Sequence, residues 1–425
     1  MDHFRYHSGK LCCESTLLDA IAEAVGTPTY VYSKRALLES FDAYERALAG
    51  IPHLIAYSVK ANATLAVLAT LARAGAGADV LSGGELFRAL KAGLRPKKIT
   101  FAGVGKSREE MREALKADIL MFNVESLSEL RHLDQTAREL GLRAPVALRV
   151  NPDVDSRTHP YIATGLKSSK FGIPIARALD EYEAARRLPG IDVLGVHMHI
   201  GSQLTETSSF ADALGRVAEL VEALRRQGIQ IQYLDAGGGL GIRYRDENPP
   251  TPSEYVDALL PVVRALGVTL ILEPGRSIVG NAGALLTRVL YLKENGDKRF
   301  VIVDAAMNDL IRPSLYDAYH EIRPVRAASG GSTSVVDVVG PICESGDFLA
   351  KDRELAEGRE GDLLAVMSAG AYAFAMASNY NARPRAAEVL VDGERYAVVR
   401  RRESYEDLIA GEQFASDLAF EGGEQ

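Results

Sequence analysis

Short apolar runs alternate with longer amphipathic stretches from about residue 53 to residue 280. The short runs are rich in β-branched and aromatic residues, which predicts strands, whereas the longer stretches show helical periodicity. Several helical stretches begin with a capping box, such as Ser107 with Glu110, and several end at a glycine, such as Gly75. The eight candidate strands are 53–59, 78–81, 98–102, 119–124, 146–150, 193–199, 231–235 and 268–272.

Eight strands that alternate with helices over this length match the size and rhythm of a (β/α)8 barrel. A doubly wound open sheet is the main alternative, but it rarely needs eight regularly spaced units. The pattern therefore predicts a TIM-like barrel of the α/β class.

The rhythm changes after about residue 282, where the chain reads as β-strands joined by Asn-Gly and Asp-Gly turn signals. The run 28–33, which precedes the barrel, also has a strand pattern. We therefore expect α/β plus all-β architecture, in which the N-terminal segment completes a C-terminal β-domain. The predicted boundaries are 1–35 for the N-terminal segment, 36–281 for the barrel and 282–425 for the β-domain.

Composition narrows the classes of function. The chain has 49 basic and 57 acidic residues, a net charge of −8, which argues against nucleic acid as a partner. No apolar run approaches the ~18 residues of a membrane span, and the first residues lack the apolar centre of a signal peptide. The three cysteines, Cys12, Cys13 and Cys343, give no disulfide framework, so we expect the protein to be located in a reducing cytoplasm.

Functional side chains of such barrels lie at the C-terminal ends of the strands. The first strand is followed by Lys60, the sixth by His199 and Ser202, and the eighth by Glu273 to Arg276. The seventh strand is followed by Gly237, Gly238 and Gly239, at a position where barrels often bind phosphate through backbone N–H groups. Each feature alone also fits a surface charge or an ordinary loop.

Together, these features fit a phosphorylated aldehyde cofactor, pyridoxal 5′-phosphate. The Lys60 amine can form a Schiff base with the aldehyde, and Arg276 can contact the phosphate. A carboxylate beside the pyridine nitrogen, for which Glu273 is the candidate, would keep that nitrogen protonated. His199 could stack on the face of the ring.

Several segments closely resemble the alanine-racemase-fold, group IV pyridoxal-phosphate decarboxylases, and further segments resemble the diaminopimelate decarboxylase branch. The first set is Tyr57-Ser-Val-Lys-Ala-Asn62, His199-Ile-Gly-Ser-Gln203, Asp235-Ala-Gly-Gly-Gly-Leu-Gly241 and Glu273-Pro-Gly-Arg276. The second set is 149–155, 158–162, 304–313, 340–347 and 378–384.

The resemblance implies decarboxylation of meso-2,6-diaminopimelate to L-lysine and CO2, the last step of lysine biosynthesis. It implies that Lys60 holds the cofactor and that Cys343 donates a proton from the partner subunit of a homodimer with shared active sites. The implied cofactor-binding residues are Lys60, His199, Ser202, Gly237, Gly238, Gly239, Glu273, Gly275, Arg276 and Tyr372. The implied substrate-binding residues are Arg276, Arg312, Tyr316, Glu344 and Tyr372.

Three alternatives remain open at this point. A related decarboxylase or racemase of the same fold would share the cofactor site, but Arg312 with Glu344 argues for a substrate with a second carboxylate and a second ammonium group. A metal-dependent hydrolase would use the pair His197-x-His199, although we expect no metal site because most other histidines lie elsewhere. A cofactor carrier without turnover would not need the β-domain.

Two of the implied site residues also have structural alternatives. Arg312 could form a structural ion pair, and Cys343 could be a small buried apolar residue.

Overall fold

The computed structural model describes residues 3–154, 170–327 and 332–414. The segment 158–162, which carries part of the family resemblance, lies outside the described residues. Most of the loop at 153–170 also lies outside them. In the described part of the chain, no helix combines the length and the apolar composition that a membrane span requires.

The chain begins with a small antiparallel sheet and then enters the larger β-domain. The sheet consists of β1 (Phe4–His7), β2 (Lys10–Cys13) and β3 (Thr16–Leu17), and it is followed by helix α1 (Leu18–Val25). Strand β4 (Thr29–Ser33) is buried along its whole length. Ser33 then caps helix α2 (Lys34–Ala47), because its side chain accepts a hydrogen bond from the N–H of Ala36.

The next part of the chain forms a closed barrel of eight parallel strands, since every neighbouring pair is parallel and the last strand pairs with the first. The strands are β5 (His53–Ser58), β6 (Gly77–Val80), β7 (Ile99–Phe101), β8 (Met121–Val124), β9 (Ala144–Asn151), β11 (Ile191–His197), β12 (Tyr233–Asp235) and β13 (Thr269–Leu272), with the short β10 (Ile173–Pro174) on the end of β9. The surrounding helices are α3 (Leu65–Ala74), α4 (Gly83–Lys91), α5 (Arg108–Lys116), α6 (Leu127–Glu139), α7 (Ile175–Ala185), α8 (Ser208–Arg226) and α9 (Pro252–Leu266).

Side-chain alternation along the strands fills the barrel with apolar groups. Leu54, Ala56, Met121, Ala147 and Ile271 form one buried cluster inside it. Residues of opposite parity pack instead into the larger core. Because side chains alternate along a strand, the positions two residues nearer the C-terminal end also face inward. Those positions carry polar side chains, and they form the base of the site described below.

Helix α10 (Arg276–Val279) links the barrel to the C-terminal strands. These strands are β14 (Gly283–Asn295), β15 (Lys298–Val303), β16 (Ile322–Pro324), β17 (Thr333–Val339), β18 (Phe348–Ala356), β19 (Leu363–Val366), β20 (Ala387–Asp392) and β21 (Arg395–Arg400), with helices α11 (Arg312–Tyr316) and α12 (Tyr405–Leu408). The sheet order is β18-β17-β15-β14-β4-β20-β21, and a branch runs from β14 through β19 to β16.

The predicted fold class is confirmed: a (β/α)8 barrel is followed by a β-domain that the N-terminal strand β4 completes, paired with β14 on one side and β20 on the other. The sequence pattern did not predict β18, in which the charged residues 351–354 obscure the alternation. It also did not predict the short strands β1, β2, β3 and β16.

Candidate active site

A cavity of about 500 Å³ opens at the C-terminal end of the barrel, where the β-domain covers it. Its walls combine strand ends of the barrel with loops of the β-domain. The lining residues used below are Lys60, His199, Ser202, Gly239, Tyr244, Glu273, Gly275, Arg276, Arg312, Tyr316 and Tyr372.

Lys60 enters this cavity from a single turn of 3-10 helix, Val59–Ala61, directly after β5. The β-domain holds this turn in place, because the N–H of Tyr372 donates to the carbonyl of Ala61 at 2.8 Å. Burial acts to lower the pKa of the Lys60 amine, but Tyr372, Asp79 and Glu273 together raise it above its ordinary value. The free amine is therefore a cation.

The polar floor of the cavity consists of Ser58, Asp79, Asn123, Asp235 and Glu273, which all occupy inward-facing strand positions. The Ser58 hydroxyl donates to Asp79 at 2.9 Å. The side-chain amide of Asn123 donates to Asp235 at 3.0 Å and to Glu273 at 3.3 Å. All five side chains are almost fully buried, so their charges are set by each other rather than by solvent.

Two of the three carboxyl groups of this floor, Asp235 and Glu273, have opposite shifts in pKa. Burial acts to raise the pKa of Glu273, but His197, whose Nε2 lies 3.5 Å from the carboxylate, and a hydrogen bond with Asp235 lower it to about 2. Burial and the nearby Glu273 raise the pKa of Asp235 well above its ordinary value. The proton therefore lies on Asp235 and the negative charge on Glu273.

His199 is held as a neutral imidazole at the side of the cavity. Its Nδ1 accepts a hydrogen bond from the N–H of Gly238 at 3.2 Å. Burial, and after it the positive charges of Lys60 and Arg149, lower the pKa of His199 well below its ordinary value. A neutral ring suits contact with the face of an aromatic ligand.

The glycines after β12 are needed for close approach of two strand ends. A Cβ atom at Gly238 would lie 2.1 Å from the carbonyl oxygen of Glu273. The N–H of Gly237 donates to Asp235, and that of Gly238 donates to His199. Of the three glycines, Gly239 alone lines the cavity, with a φ of +119° that favours glycine.

The opposite side, which we call the arginine wall, consists of four residues. Two are the buried arginines Arg276 and Arg312, and Tyr244 and His320 pack beside them. Arg276 donates to the hydroxyl of Tyr244 at 2.6 Å and to that of Ser202 at 3.0 Å. Within the described residues, neither Arg276 nor Arg312 forms an ion pair with a carboxylate. Buried cations without a counter-ion are costly, so the chemistry of the wall suits an anion.

Two predicted site residues lie away from this cavity in the same chain. Cys343 and Glu344 are exposed and do not line it. The N–H of Cys343 donates to Asn381 at 3.0 Å, and the Glu344 carboxylate accepts from the hydroxyl of Tyr380 at 3.0 Å. Gly237 and Gly238 lie behind Gly239.

Sequence reasoning missed several residues of the site. Asp79, Asn123 and Asp235 had a usable signal, since each is a polar residue at an inward strand position near the C-terminal end. Tyr244 and His320 had none, because loop structure alone brings them beside the arginines. His197 groups with Asp235 and Glu273 rather than with His199, in a cluster whose donor atoms lie within 4.8 Å of one another.

The residues present fit pyridoxal phosphate. The cavity offers an amine for the aldehyde, an anionic carboxylate for the ring nitrogen and a neutral imidazole for the ring face. For the phosphate it offers Gly239 and Arg276, whose buried Nε has no hydrogen-bond partner within the described residues. The sequence prediction of this cofactor thus agrees with the donors that the fold assembles.

Comparisons with known proteins agree with this chemistry. Residues 34–280 match the family model for the pyridoxal-binding domain of pyridoxal-dependent decarboxylases. Diaminopimelate decarboxylase of Pseudomonas aeruginosa is 57% identical over 97% of this chain and 99% of its own length. The crystal structure of diaminopimelate decarboxylase from M. jannaschii in complex with L-lysine matches with a TM-score of 0.93 and 40% identity over 98% of this chain and 99% of that one.

A third relative, diaminopimelate decarboxylase from Helicobacter pylori in complex with L-lysine, matches with a TM-score of 0.89 and 43% identity over 92% of this chain and 98% of that one. These similarities extend through the barrel and the β-domain. The chain therefore belongs to the diaminopimelate decarboxylase family of pyridoxal-phosphate-dependent carboxy-lyases.

Proposed function

We propose that this chain decarboxylates meso-2,6-diaminopimelate to L-lysine and CO2, with pyridoxal 5′-phosphate held on Lys60. The observation that carries the proposal is the pairing of two features in one cavity. Lys60 and Glu273 provide for the cofactor at one end, and two buried arginines, which form no ion pair with any described carboxylate, provide for an anion at the other. Because the substrate keeps a carboxylate at its unreacted end, both features have a use.

The chain's own residues assist the cofactor in defined ways. When bound, pyridoxal phosphate supplies the electron sink for cleavage of the bond between Cα and the carboxylate. Glu273 holds a negative charge beside the ring nitrogen and keeps it protonated. His199 would contact the ring face, and Gly239, Ser202, Gly275 and Arg276 would hold the phosphate.

The substrate's distal end is held by Arg312, Arg276 and Tyr316. A guanidinium group binds a carboxylate through two parallel hydrogen bonds, which fixes its orientation as well as its charge. Tyr372, which contacts Arg276 with a ring-to-guanidinium distance of 4.7 Å, lies between the cofactor and substrate regions. Lysine or ornithine as a substrate would lack the distal carboxylate and leave Arg312 unpaired.

Two chains form the working enzyme in this proposal. The exposed Cys343 and Glu344 of one chain reach the cavity of the other, where Glu344 binds the distal ammonium and Cys343 delivers a proton to Cα. Three free cysteines, including this exposed thiol, also support a cytoplasmic location for the enzyme.

Borohydride trapping and substrate assays test the function. Reduction of the cofactor-loaded protein should attach the cofactor to Lys60, as found by peptide mass spectrometry, and the Lys60→Ala variant should carry no label. CO2 release should be fastest with meso-diaminopimelate. Faster turnover of ornithine or lysine would refute the substrate assignment, and a label on another lysine would refute the role of Lys60.

Subunit complementation tests the shared site. Lys60→Ala and Cys343→Ala homodimers should each be inactive, and mixing them after dissociation should restore about a quarter of the wild-type activity, since half of the dimers then carry one intact site. A mixture as inactive as its components would show that each chain works alone.

A further inference from the structure

His320 is a fully buried histidine of the arginine wall that lies on the loop between α11 and β16. Its Nδ1 lies 2.8 Å from the carbonyl oxygen of Met367, and its own carbonyl accepts from Arg353 at 2.7 Å. A carbonyl oxygen can only accept, so Nδ1 must carry the hydrogen. The lone pair of the neutral ring is therefore on Nε2.

That lone pair faces Arg312. The Nε of Arg312 donates to Nε2 of His320 at 3.3 Å, which is the single hydrogen bond of this guanidinium within the described residues. This bond uses only Nε of the guanidinium group. The two terminal nitrogens, Nη1 and Nη2, are left for a ligand in the cavity that Arg312 lines. Burial, and after it the charge of Arg312, lower the pKa of His320 to about 3, so the ring remains an acceptor at neutral pH.

Tyr244 completes the arrangement by separating the two arginines. Its ring centroid lies 5.8 Å from the Arg276 guanidinium carbon and 5.1 Å from that of Arg312. The His320 ring meets the Tyr244 ring edge-on at a centroid distance of 5.4 Å. Two cations that would otherwise repel each other thus both lie beside one aromatic side chain, and Arg276 also donates to its hydroxyl.

We propose that His320 is a positioning residue for substrate selection: as a neutral acceptor braced against Tyr244, it holds Arg312 with both terminal nitrogens directed toward the distal carboxylate of the substrate. This inference rests on the proposed function. His320 touches neither cofactor nor substrate, and it acts through Arg312.

Two ligands isolate the distal carboxylate in a binding experiment. L-Lysine, bound as the reaction product, keeps the distal carboxylate of diaminopimelate as its one carboxylate, whereas cadaverine has both amines of lysine but no carboxylate. Their dissociation constants are measured by isothermal titration calorimetry on the cofactor-saturated protein. The wild type should bind lysine more tightly than cadaverine.

Two substitutions separate the bonds of the imidazole. His320→Asn keeps a donor for the Met367 carbonyl but loses the acceptor for Arg312, so lysine binding should weaken about tenfold while cadaverine binding stays unchanged. His320→Gln places an amide oxygen near the Nε2 position and should restore most of the lysine affinity. His132→Asn, on the exposed face of α6, is the matched control and should change neither constant.

The outcomes are distinguishable. A wild type that does not prefer lysine would refute the proposed distal-carboxylate recognition itself. If the wild type prefers lysine and the His320→Asn variant shows the same preference, the role of His320 is refuted and the proposed function is not. The same conclusion follows if the variant loses affinity equally for lysine and cadaverine. Nitrogen NMR of the wild-type protein needs no variant: a ring protonated on Nε2 would overturn the proposal, and a ring protonated on Nδ1 alone supports it.

Discussion

The polar floor and the arginine wall face the same cavity, but they are built in different ways. Residues of the floor, such as Asp79 and Glu273, stand at regular strand positions whose direction the alternation of the barrel fixes. The wall is mixed: Arg276 and Tyr244 lie in segments that follow barrel strands, whereas Arg312 and His320 come from helix α11 and the loop after it in the β-domain. The comparison indicates that the barrel alone builds the floor, whereas the wall needs residues of both domains.

The largest expected effect comes from the floor. Glu273→Gln keeps the shape of the side chain but removes the negative charge, so kcat should fall about 10²- to 10³-fold because the ring nitrogen loses its counter-charge. The preference for lysine over cadaverine, measured by calorimetry, should remain. Loss of this preference would show that the floor and the wall do not have separate roles. Glu219→Gln, on the exposed face of α8, serves as the control.

A smaller effect is expected from the wall, and it should appear in KM rather than in kcat. Arg312→Met keeps an unbranched apolar stem but removes the guanidinium, so kcat/KM for meso-diaminopimelate should fall about 100-fold, mostly through a higher KM. The absorbance of the bound cofactor should not change. A fall confined to kcat would contradict the division of roles, and Arg264→Met on the surface of α9 controls for loss of a charge.

The smallest expected effect concerns stability of the loop that leads to Arg312. Burial raises the pKa of the Asp309 carboxyl to about 7, against about 4 for an unfolded chain. Between these values the folded state binds a proton that the unfolded state does not, so the free energy of unfolding decreases as pH rises through this window.

Asp309→Asn removes this pH dependence. Calorimetric scans should show a Tm about 2–3 °C above that of the wild type at pH 8 and a much smaller difference at pH 4, where the wild-type carboxyl is protonated in the folded state and about half protonated in the unfolded state. Parallel curves of Tm against pH for the two proteins would refute the raised pKa.

Much of the floor could be predicted from the sequence because strand periodicity places each residue without knowledge of distant contacts. Lys60 and Glu273 were predicted by a different rule, because each directly follows the C-terminal end of a candidate strand. The grouping of His197 with Glu273 followed from neither rule, because it depends on the register between neighbouring strands rather than on the order of residues along one strand.

The wall could be predicted only in part. Arg312 entered through family resemblance and not through any pattern, since a short helix after an irregular segment has no fixed direction. Tyr244 and His320 could not be predicted, because contacts between loops far apart in sequence determine which aromatic ring meets which guanidinium. The family resemblance also named Cys343 and Glu344, whose place in the site remains a prediction about a second chain.

The position of β4 has a consequence for synthesis of the chain. The Tyr32 hydroxyl donates to Glu388, 356 positions later, and β4 pairs directly with β20. The barrel can form while the ribosome is still translating the β-domain, but this early apolar strand must wait for β14 before it gains a first partner and for β20 before both of its edges are paired. During that interval its open edges are a liability for pairing with other chains, so we expect crowded translation of this protein to be more hazardous than its refolding in dilute solution.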